Sequence, residues 1–312
     1  MEIRNVVVTG GLGFVGSAIV NAFHERYPTC FRVLDNYNGV LQKMSNLPLT
    51  TNKRHVLCDI LDYESLASVL RHVKPEVVIH TAGIVPLLTA EKIVLAANSP
   101  SFSTGILRPS VVMGPGDHQI ILPIHAWIAK GETPFIIGSA DNLWDIIYVM
   151  NVADAHVLSA ENLLSNNPTA AGEMVFILNN TPNTFRDFIL AVWKEFGHIP
   201  SHQITIQESL AWTAGLLAEA ASWLTGSREV ALSRFSVNDA CAVRYVNGKK
   251  ARIVLEYEAR VELEEGIRLS SQDRNSPLRV TNFKLPNFPT QMFPPIPQIQ
   301  PHIYKFSQYP AI

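Results

Sequence analysis

A glycine-rich turn near the amino terminus constrains the fold of this chain more than any other feature. The turn spans residues 9–16 and contains Gly10, Gly11, Gly13 and Gly16. The unbroken valines before it predict a buried parallel strand, and apolar residues at helical spacing after it predict a helix. Gly10, Gly13 and Gly16 stand where a dinucleotide-binding fold needs a tight turn, close backbone approach to a pyrophosphate, and tight helix packing. A lone glycine triplet also fits an ordinary strand-to-helix turn, so the surrounding sequence decides between the two interpretations.

An acidic residue at the end of the next apolar run supplies that context. Asp35 follows the glycines by about 20 residues, the spacing at which a carboxylate accepts hydrogen bonds from the adenosine ribose hydroxyls. A carboxylate there would repel a 2′-phosphate, so the pattern favours NAD over NADP. The residues interleaved with the glycines, Leu12, Phe14 and Val15, complete the predicted cofactor-binding turn.

Two further strand ends are predicted to face the cofactor. A third strand closes with Asp59 and Ile60, where an acid could hydrogen-bond the adenine amino group, although a helix N-cap is an alternative role for Asp59. A fourth strand, residues 77–80, is followed by the small residues Thr81 and Ala82, which let the backbone pass close to the cofactor.

A histidine, His80, ends this fourth apolar run. A single histidine within such a strand is more often a core residue with one satisfied ring nitrogen than a catalytic base. The pattern therefore favours a structural role for His80.

Composition places the chain among ordinary globular proteins and argues against several classes. Of 312 residues, 47% are hydrophobic and 17% charged, and the formal net charge of −2 comes without a basic block, so nucleic acid is not an expected partner. Cys30, Cys58 and Cys241 lack the spacing of a metal or redox site and indicate a reducing compartment. No signal peptide and no apolar stretch long enough to span a bilayer is expected.

The motifs taken together resemble those of an extended short-chain dehydrogenase. More narrowly, the chain is similar to the 3β-hydroxysteroid dehydrogenase branch, which includes the sterol-4α-carboxylate 3-dehydrogenases (decarboxylating). The resemblance covers residues 3–268 and rests on stretches 9–16, 33–35, 78–82, 104–110, 114–117, 145–149, 151–156, 245–252 and 263–267.

The resemblance implies an α/β fold, a Rossmann-type doubly wound parallel sheet with a smaller substrate-binding part. Residues 1–157 would form the dinucleotide-binding domain, with a gap in the family pattern near residues 84–90. Residues 158–269 would form the substrate-binding part, and residues 270–312 a proline-rich, extended or disordered tail. No counterpart of this tail belongs to the resemblance.

The implied activity is NAD-dependent oxidation of a 3β-hydroxyl on a sterol, triterpenoid or related polycyclic substrate, in sterol or secondary-metabolite biosynthesis. A neighbouring carboxylate on the substrate would then be lost as carbon dioxide. Pro109, which ends a later strand, would lie beside the nicotinamide, although a proline there also simply terminates a strand. A reductase of phenolic or flavonoid ketones is an alternative, since such relatives share the early motifs.

The family's proton-transfer residues are missing from this chain. They are a Ser or Thr at the end of the fifth strand and a Tyr-x-x-x-Lys on the following helix, in which tyrosinate takes the substrate proton and lysine lowers the tyrosine pKa. They would lie between Gly83 and Thr104, yet no tyrosine occurs between Tyr63 and Tyr148. The sequence therefore assigns no catalytic residue.

A stretch resembling the helix after the catalytic lysine, residues 89–98, follows the fourth strand almost directly. A strand, a loop and the front of a helix are thus absent, a unit of roughly 30 residues. One Tyr-x-x-x-Lys does occur, at Tyr245 and Lys249, but its surroundings match a late helix of the family, and Lys92 is interpreted as a solvated helix residue.

Two explanations of the gap stay open. The sequence derives from a gene model or splice form without an internal exon, or the protein lacks the unit and is a non-catalytic NAD-binding protein or an inactive truncated product. Removing an interior strand leaves unpaired backbone groups in the sheet unless its neighbours close up, which favours the first explanation.

The most apolar stretch, residues 211–224, has three interpretations. It is a lid over a hydrophobic small-molecule substrate, a monotopic contact with a membrane surface, or an ordinary buried helix. The expected location is correspondingly cytoplasmic or peripheral on the endoplasmic reticulum membrane, and the sequence does not predict an oligomeric state.

Overall fold

The structure is a computed structural model that describes residues 3–28, 31–35, 55–82, 88–225 and 232–272. The first half contains, in chain order, β1 (Val6–Thr9), α1 (Phe14–Arg26), β2 (Phe31–Asp35), β3 (His55–Leu57), α2 (Tyr63–Val73), β4 (Val77–His80), α3 (Leu88–Ala96), β5 (Ile106–Pro109), β6 (Val111–Met113) and α4 (Ile121–Lys130). The second half contains β7 (Phe135–Ile137), β8 (Leu143–Trp144), β9 (Ile146–Tyr148), α5 (Val149–Leu163), β10 (Met174–Ile177), β11 (Asn183–Thr184), α6 (Phe185–Glu195), β12 (Ile204–Ile206), α7 (Glu208–Thr225), α8 (Arg234–Cys241), α9 (Lys249–Leu255) and α10 (Leu263–Ser271).

A parallel sheet of order β3-β2-β1-β4 forms the amino-terminal half. Strand β1 is buried on both faces: Val6 and Val8 join the apolar cluster of helix α1, whereas Val7 packs with Cys58 and the apolar residues of α2. This explains why the strand reads as an unbroken valine run. Because all four strands are parallel, their carboxyl ends meet at one edge, and the predicted Rossmann-type fold is confirmed.

The sheet does not continue from β4 to β5. Strand β5 pairs with β10 and β6 pairs with β9, and no ladder joins β4 to β5 among the described strands. The two parts nevertheless share one helical layer, since Val15 of α1 packs against the clusters of both. The break lies where the sequence predicts the missing strand-helix unit, and the neighbouring strands have not closed up.

Strand β4 is exposed on one of its two faces. Val77 and Ile79 pack under the α1 layer, whereas Val78 and His80 point to the opposite face and are exposed, Val78 to 49%. A doubly wound sheet normally carries helices on both faces. The exposed valine therefore marks a stretch of sheet without its helical cover.

Helix α5 connects the two halves of the chain. It packs along α1 through buried residues that include Val149, Ala153 and Val157, and it continues to Leu163, past residue 157 at which the sequence divides the chain. The proposed division into two domains stays a prediction. The carboxy-terminal helix α10 runs to Ser271, and residues 273–312 of the predicted tail lie outside the described residues.

Helix α7 corresponds to the apolar stretch at residues 211–224, and its interpretation as an ordinary buried helix is wrong. Only Ala211 and Gly215 are buried, along the stripe that packs on α8. A Cβ on Gly215 would lie 2.9 Å from the Arg234 nitrogen, so glycine permits the close packing. The outward residues are exposed apolar side chains, namely Leu210, Trp212, Leu216, Leu217, Trp223 and Leu224. Among the described helices, none is long and apolar enough to cross a membrane.

Candidate functional site

The glycine turn between β1 and α1 adopts a conformation that requires glycine. Gly10 has φ +70°, the left-handed region that other residues rarely occupy, and a Cβ there would lie 2.9 Å from the Ala82 backbone nitrogen. The turn therefore contacts the segment that follows β4. Gly10 at the end of β1 and Ala82 after β4, both predicted to face the cofactor, lie side by side.

Gly16 lets helix α1 start immediately against that turn. A Cβ on Gly16 would lie 2.1 Å from the Gly10 carbonyl oxygen, a distance that no side chain can occupy. The Gly13 nitrogen donates a hydrogen bond to the same oxygen at 3.0 Å. The tight packing expected at Gly16 is present, and its partner is the turn.

The start of helix α1 leaves its positive end available. Gly13 is the N-cap, it makes no side-chain capping bond, and no acidic residue lies in the first turn. Gly13 is also exposed in the part of the chain that the structure describes. A helix end of this kind attracts anions through both its N–H groups and its dipole.

Two threonines and a histidine fix the strand ends beside Gly10. Thr81 donates to the Thr9 carbonyl oxygen from both its nitrogen, at 3.1 Å, and its Oγ1, at 2.7 Å. The Thr9 Oγ1 and the His80 Nδ1 are 2.7 Å apart. The satisfied ring nitrogen expected of His80 is confirmed, but its placement in the core is wrong because the residue is exposed.

The remaining residues of the turn are anchored in the core. Leu12, Phe14 and Val15 are partly buried and pack against the cluster of β1 and α1. The Phe14 ring also lies beside the turn at residues 114–116, since a Cβ on Gly114 would be 3.3 Å from the Phe14 Cε2. These side chains fix the orientation of the backbone groups that face outward.

The predicted adenosine-binding residues lie at the ends of β2 and β3. Asp35 is the last residue of β2 and pairs with Leu57, but its side chain lies outside the described residues. Asp59 is exposed, and its Oδ1 accepts from the Leu61 nitrogen at 3.0 Å. The N-cap role considered for Asp59 is wrong, because Asp62 caps α2 by accepting from the Ser65 nitrogen. Ile60 is half-buried beside Asp59.

Pro109 lies at the exposed end of β5, in a sheet that the described ladders do not connect to β4. The Ser110 nitrogen donates to the Ile177 carbonyl oxygen, which ties this strand end to β10. Pro109 thus lies at the carboxyl end of a parallel strand pair that the described ladders do not join to the β1–β4 sheet, and its place beside the nicotinamide stays a prediction.

An ion pair that the motifs did not predict holds the truncated helix α3 on β5. The Arg108 Nε donates to the Glu91 Oε1 at 2.7 Å, and a second contact joins the guanidinium to the other carboxylate oxygen. The hydrogen bond from Arg108 lowers the pKa of the Glu91 carboxyl, and the same bond raises the pKa of Arg108. Thr104 adds a bond from its Oγ1 to the Val94 carbonyl oxygen at 2.8 Å.

A buried polar network behind the strand ends was also missed. The fully buried Asp145 accepts from the Asn179 nitrogen at 2.7 Å, and burial raises the pKa of its carboxyl. Asn151 bonds the Asn179 side chain at 2.9 Å and the Val261 carbonyl oxygen at 2.7 Å. The sequence signal for this network was an aspartate and an asparagine within otherwise apolar stretches.

The Tyr-x-x-x-Lys at Tyr245 and Lys249 does not lie on a single helix. Tyr245 precedes α9, whereas Lys249 is its first residue after the N-cap Gly248, so the two do not share a helix face. Lys92 is exposed on α3, as its interpretation as a solvated residue requires.

The cradle fits the phosphates of a dinucleotide. Its glycines let the turn, the start of α1 and the segment after β4 lie in backbone contact, and the first turn of α1 has no side-chain cap and no acidic residue. The donor set is made of backbone N–H groups, which is the chemistry that pyrophosphate binding uses.

Two family models match the chain, one on each side of the predicted gap. The NAD dependent epimerase/dehydratase family matches residues 6–88, and the 3-beta hydroxysteroid dehydrogenase/isomerase family matches residues 87–208. The two matches meet where the strand-helix unit is missing.

The most similar relatives found among characterised proteins include three sterol enzymes. The sterol-4-alpha-carboxylate 3-dehydrogenase (decarboxylating) of Schizosaccharomyces pombe is 42% identical over 181 residues, which are 57% of this chain and 52% of the relative. Its Saccharomyces cerevisiae counterpart is 44% identical over 182 residues with the same coverage. The 3beta-hydroxysteroid-dehydrogenase/decarboxylase isoform 1 of Arabidopsis thaliana is 32% identical over 185 residues, 57% of this chain and 42% of the relative. The chain spans about half the length of the curated relatives it matches.

Solved structures agree on the fold. A dTDP-glucose 4,6-dehydratase from Bacillus anthracis, solved with NAD, has a TM-score of 0.61 at 16% identity, covering 86% of this chain and 96% of the other. The UDP-glucose 4-epimerase of Thermus thermophilus, also with NAD, has a TM-score of 0.56 at 19% identity, covering 86% and 98%.

The fold, the glycine turn and the two family-model matches give the chain the fold of an extended short-chain dehydrogenase. Within that class its sequence is similar to 3β-hydroxysteroid dehydrogenases, in particular to the sterol-4-alpha-carboxylate 3-dehydrogenases, and it has no tyrosine between Tyr63 and Tyr148.

Proposed function

We propose that this chain binds NAD at the glycine turn and belongs to an enzyme that oxidises a 3β-hydroxyl group. The observation that supports this most directly is the tight turn at Gly10, Gly13 and Gly16, where a Cβ would meet backbone atoms, next to a start of helix α1 that has no side-chain cap. NAD, when bound, accepts a hydride from an alcohol carbon.

In this proposal different residues of the chain bind different parts of the cofactor. The first N–H groups of α1 bind the pyrophosphate, and Asp35 accepts hydrogen bonds from the ribose hydroxyls, which excludes a 2′-phosphate. Thr9 and Thr81 hold the ends of β1 and β4 at the distance that the turn requires. The other proposed contacts are Gly11, Leu12, Phe14, Val15, Asp59, Ile60, Ala82 and, at the nicotinamide, Pro109.

The proposed substrate is a sterol, triterpenoid or related polycyclic alcohol. The names of the relatives support this choice, and where the substrate carries a neighbouring carboxylate, the β-keto acid formed by oxidation loses carbon dioxide. This chain holds the cofactor, whereas removal of the hydroxyl proton requires the strand-helix unit that it lacks. By itself the chain is therefore an NAD-binding protein without turnover.

Calorimetric titration with NAD tests the binding step. Asp35→Ala should weaken NAD binding by roughly 10- to 100-fold, because a charged hydrogen-bond partner contributes about 1.5–3 kcal/mol. Asp141→Ala, which removes an exposed acid outside the β1–β4 sheet, is the matched control and should bind as the parent does. Absence of NAD binding by the folded parent chain would contradict the proposal.

Turnover is tested separately. NAD reduction with a 3β-hydroxysterol is measured for this chain and for one in which a strand-helix unit with Ser or Thr and Tyr-x-x-x-Lys follows Gly83. We expect activity in the second chain only. Equal rates in both would contradict our explanation of the gap, and reduction of a phenolic ketone in preference to sterol oxidation would reassign the substrate.

We also propose that the outer face of α7 contacts a lipid bilayer surface, such as that of the endoplasmic reticulum. Of its two acids, Glu219 is paired with Arg234, whose guanidinium also lies over the Trp212 ring, and Glu208 lies at the helix start. Trp212 and Trp223 are eleven positions apart, which places both along one edge of the helix. Indole rings favour the headgroup level of a membrane.

Co-sedimentation with phosphatidylcholine vesicles tests this contact. Leu217→Ser combined with Trp223→Ser should reduce the bound fraction by at least about tenfold, because each apolar side chain contributes roughly 1.5–3 kcal/mol on burial. Ile253→Ser, at a residue of α9 that is 78% exposed, is the control and should leave binding unchanged. A parent chain that stays in the supernatant would refute the contact.

A further inference from the structure

The exposed side of helix α7 carries three leucines in one line. Leu210, Leu217 and Leu224 follow one another at intervals of seven residues, close to two helical turns, and they are 64%, 66% and 75% exposed. Ala211 and Gly215 are buried on the side that packs on α8. The line of leucines is therefore turned away from α8, and it extends over about 21 Å along the helix.

Two threonine hydroxyls of α7 are hydrogen-bonded within the helix. The Thr213 Oγ1 donates to the Ser209 carbonyl oxygen at 2.7 Å, and the Thr225 Oγ1 donates to the Ala221 carbonyl oxygen at 2.9 Å. A hydroxyl that already has a partner in its own helix loses little when it leaves water. These hydroxyls therefore oppose insertion into an apolar layer only weakly.

The charges around α7 do not attract an anionic surface. The helix contains two acids, Glu208 and Glu219, and no lysine or arginine. Residues 208–241, which run to the end of α8, contain two arginines and four acids, a net charge of −2. One of these arginines, Arg234, is bonded to Glu219 and lies over the Trp212 ring. Because attraction to anionic lipids depends on basic residues near the surface, the affinity of α7 for a bilayer has to come from its apolar side chains.

We propose that α7 binds electroneutral bilayers whose headgroups are loosely packed, and that it has no preference for anionic lipids. This inference rests on the membrane contact proposed above and names the lipids that the contact uses. A leucine enters a bilayer where neighbouring headgroups separate, and headgroups are further apart where the bilayer is strongly curved or its chains are unsaturated. A helix without cations lacks the electrostatic attraction that holds basic helices on anionic bilayers. Binding of α7 therefore depends on lipid packing and not on lipid charge.

Flotation of the full chain with neutral vesicles of two sizes tests the dependence on packing. Dioleoylphosphatidylcholine vesicles of about 30 nm diameter should bind the chain at least about fivefold more tightly than vesicles of about 200 nm, because strong curvature separates the headgroups. Leu210→Ser combined with Leu224→Ser should remove this difference, because two of the inserting side chains are lost. Ile93→Ser, at a residue of α3 that is 65% exposed, is the control and should keep the difference.

Replacing about 30% of the neutral lipid by phosphatidylserine tests the dependence on charge. Binding of the parent chain should not increase, and raising NaCl from about 0.05 M to about 0.5 M should not weaken it. Ala214→Lys combined with Ala221→Lys places two cations at exposed positions on the flank of α7 opposite the tryptophans. This variant should bind the phosphatidylserine vesicles at least about tenfold more tightly than the parent does, and high salt should abolish the gain.

The outcomes separate the lipid class from the membrane contact itself. Tighter binding of the parent chain to phosphatidylserine vesicles, or equal binding to small and large neutral vesicles, would overturn the inference about lipids and leave the contact standing. A parent chain that floats with none of these vesicles would refute both. Sedimentation equilibrium without vesicles checks a different occupant: a dimer that dissociates in Leu217→Ser would place a second copy of the chain on this side of α7 and would also refute both.

Discussion

Replacing Gly16 by alanine adds one methyl group where helix α1 touches the glycine turn. The new Cβ would lie 2.1 Å from the Gly10 carbonyl oxygen and 2.8 Å from the Gly10 carbonyl carbon, against an ordinary contact of at least 3.4 Å. Both neighbours are backbone atoms, so no flexible side chain can move away. The helix must shift away from the turn, or the turn must leave the conformation that Gly10 supports.

The sign of the expected change in the free energy of unfolding distinguishes a tightly packed backbone contact from an ordinary helix position. At an ordinary interior helix position, glycine to alanine stabilises a protein by about 1 kcal/mol. Forcing an extra methyl into a packed backbone contact costs about 1–3 kcal/mol, and the upper end applies here because the overlap exceeds 1 Å. We expect Gly16→Ala to lower the free energy of unfolding by about 2 kcal/mol.

Urea denaturation followed by tryptophan fluorescence measures this difference, with an unchanged m-value as the check that the unfolding transition is the same. Gly13→Ala is the matched control, because its Cβ would meet the same oxygen at 3.2 Å and its φ of −72° suits any residue. We expect Gly13→Ala to cost less than half as much. A Gly16→Ala variant as stable as the parent would refute the close packing of α1 on the turn.

Three further predictions concern buried polar groups. Arg186→Met should raise the free energy of unfolding by about 1 kcal/mol. Among the described residues the buried guanidinium contacts the Thr133 carbonyl oxygen, at 3.3 and 3.4 Å, and the Trp193 ring, its Nε has no hydrogen-bond partner, and a methionine keeps the apolar packing on Trp193. Arg268→Met at an exposed site should change the free energy of unfolding by less than about 0.5 kcal/mol, and a destabilised Arg186→Met would contradict the prediction. Burial raises the pKa of Asp145, so the folded state binds the proton of this carboxyl more readily than the unfolded state and loses stability as pH rises from about 4 through the folded pKa. Asp145→Asn removes this pH-dependent component. Urea titrations would refute the prediction if the stability difference between variant and parent stayed constant between about pH 4 and pH 8. Tyr257→Phe should lower the free energy of unfolding by about 1 kcal/mol at neutral pH, because it removes a 3.2 Å hydrogen bond from the phenol to the Leu178 carbonyl oxygen. Burial raises the pKa of Tyr257, so ionisation of this phenol should destabilise the parent, and not the variant, above about pH 10. Thermal unfolding of both proteins across that pH range measures the difference.

The local sequence was sufficient for the elements that depend on near neighbours in the chain. The valine run, the glycines and the helix after them form one strand-turn-helix unit, and the positive φ of Gly10 and the contact of Gly16 follow from the same short pattern. Helix α2 likewise begins where an aspartate is available as a cap: the structure uses Asp62, whereas the sequence offered a cap only as an alternative role for Asp59. Such features depend on sterics and hydrogen bonds within a few residues.

Burial across the break could not be read from the sequence. Val78 and His80 belong to an apolar run that predicts a covered strand, yet both are exposed, because no described element packs on that face of β4. The apolar residues of α7 predict burial equally well, and only the placement of α8 along one narrow stripe shows that the rest of the helix faces outward.

The sequence alone therefore determined the dinucleotide-binding turn, the parallel strands around it and the absence of the proton-transfer residues. The tertiary structure decided that β4 and β5 stay apart, that Glu91 of the shortened helix α3 pairs with Arg108, and that Asp145 and Asn151 join in a buried network. The physical reason is distance along the chain: a turn is specified by adjacent residues, whereas pairing and burial depend on which remote segments are present to make contact.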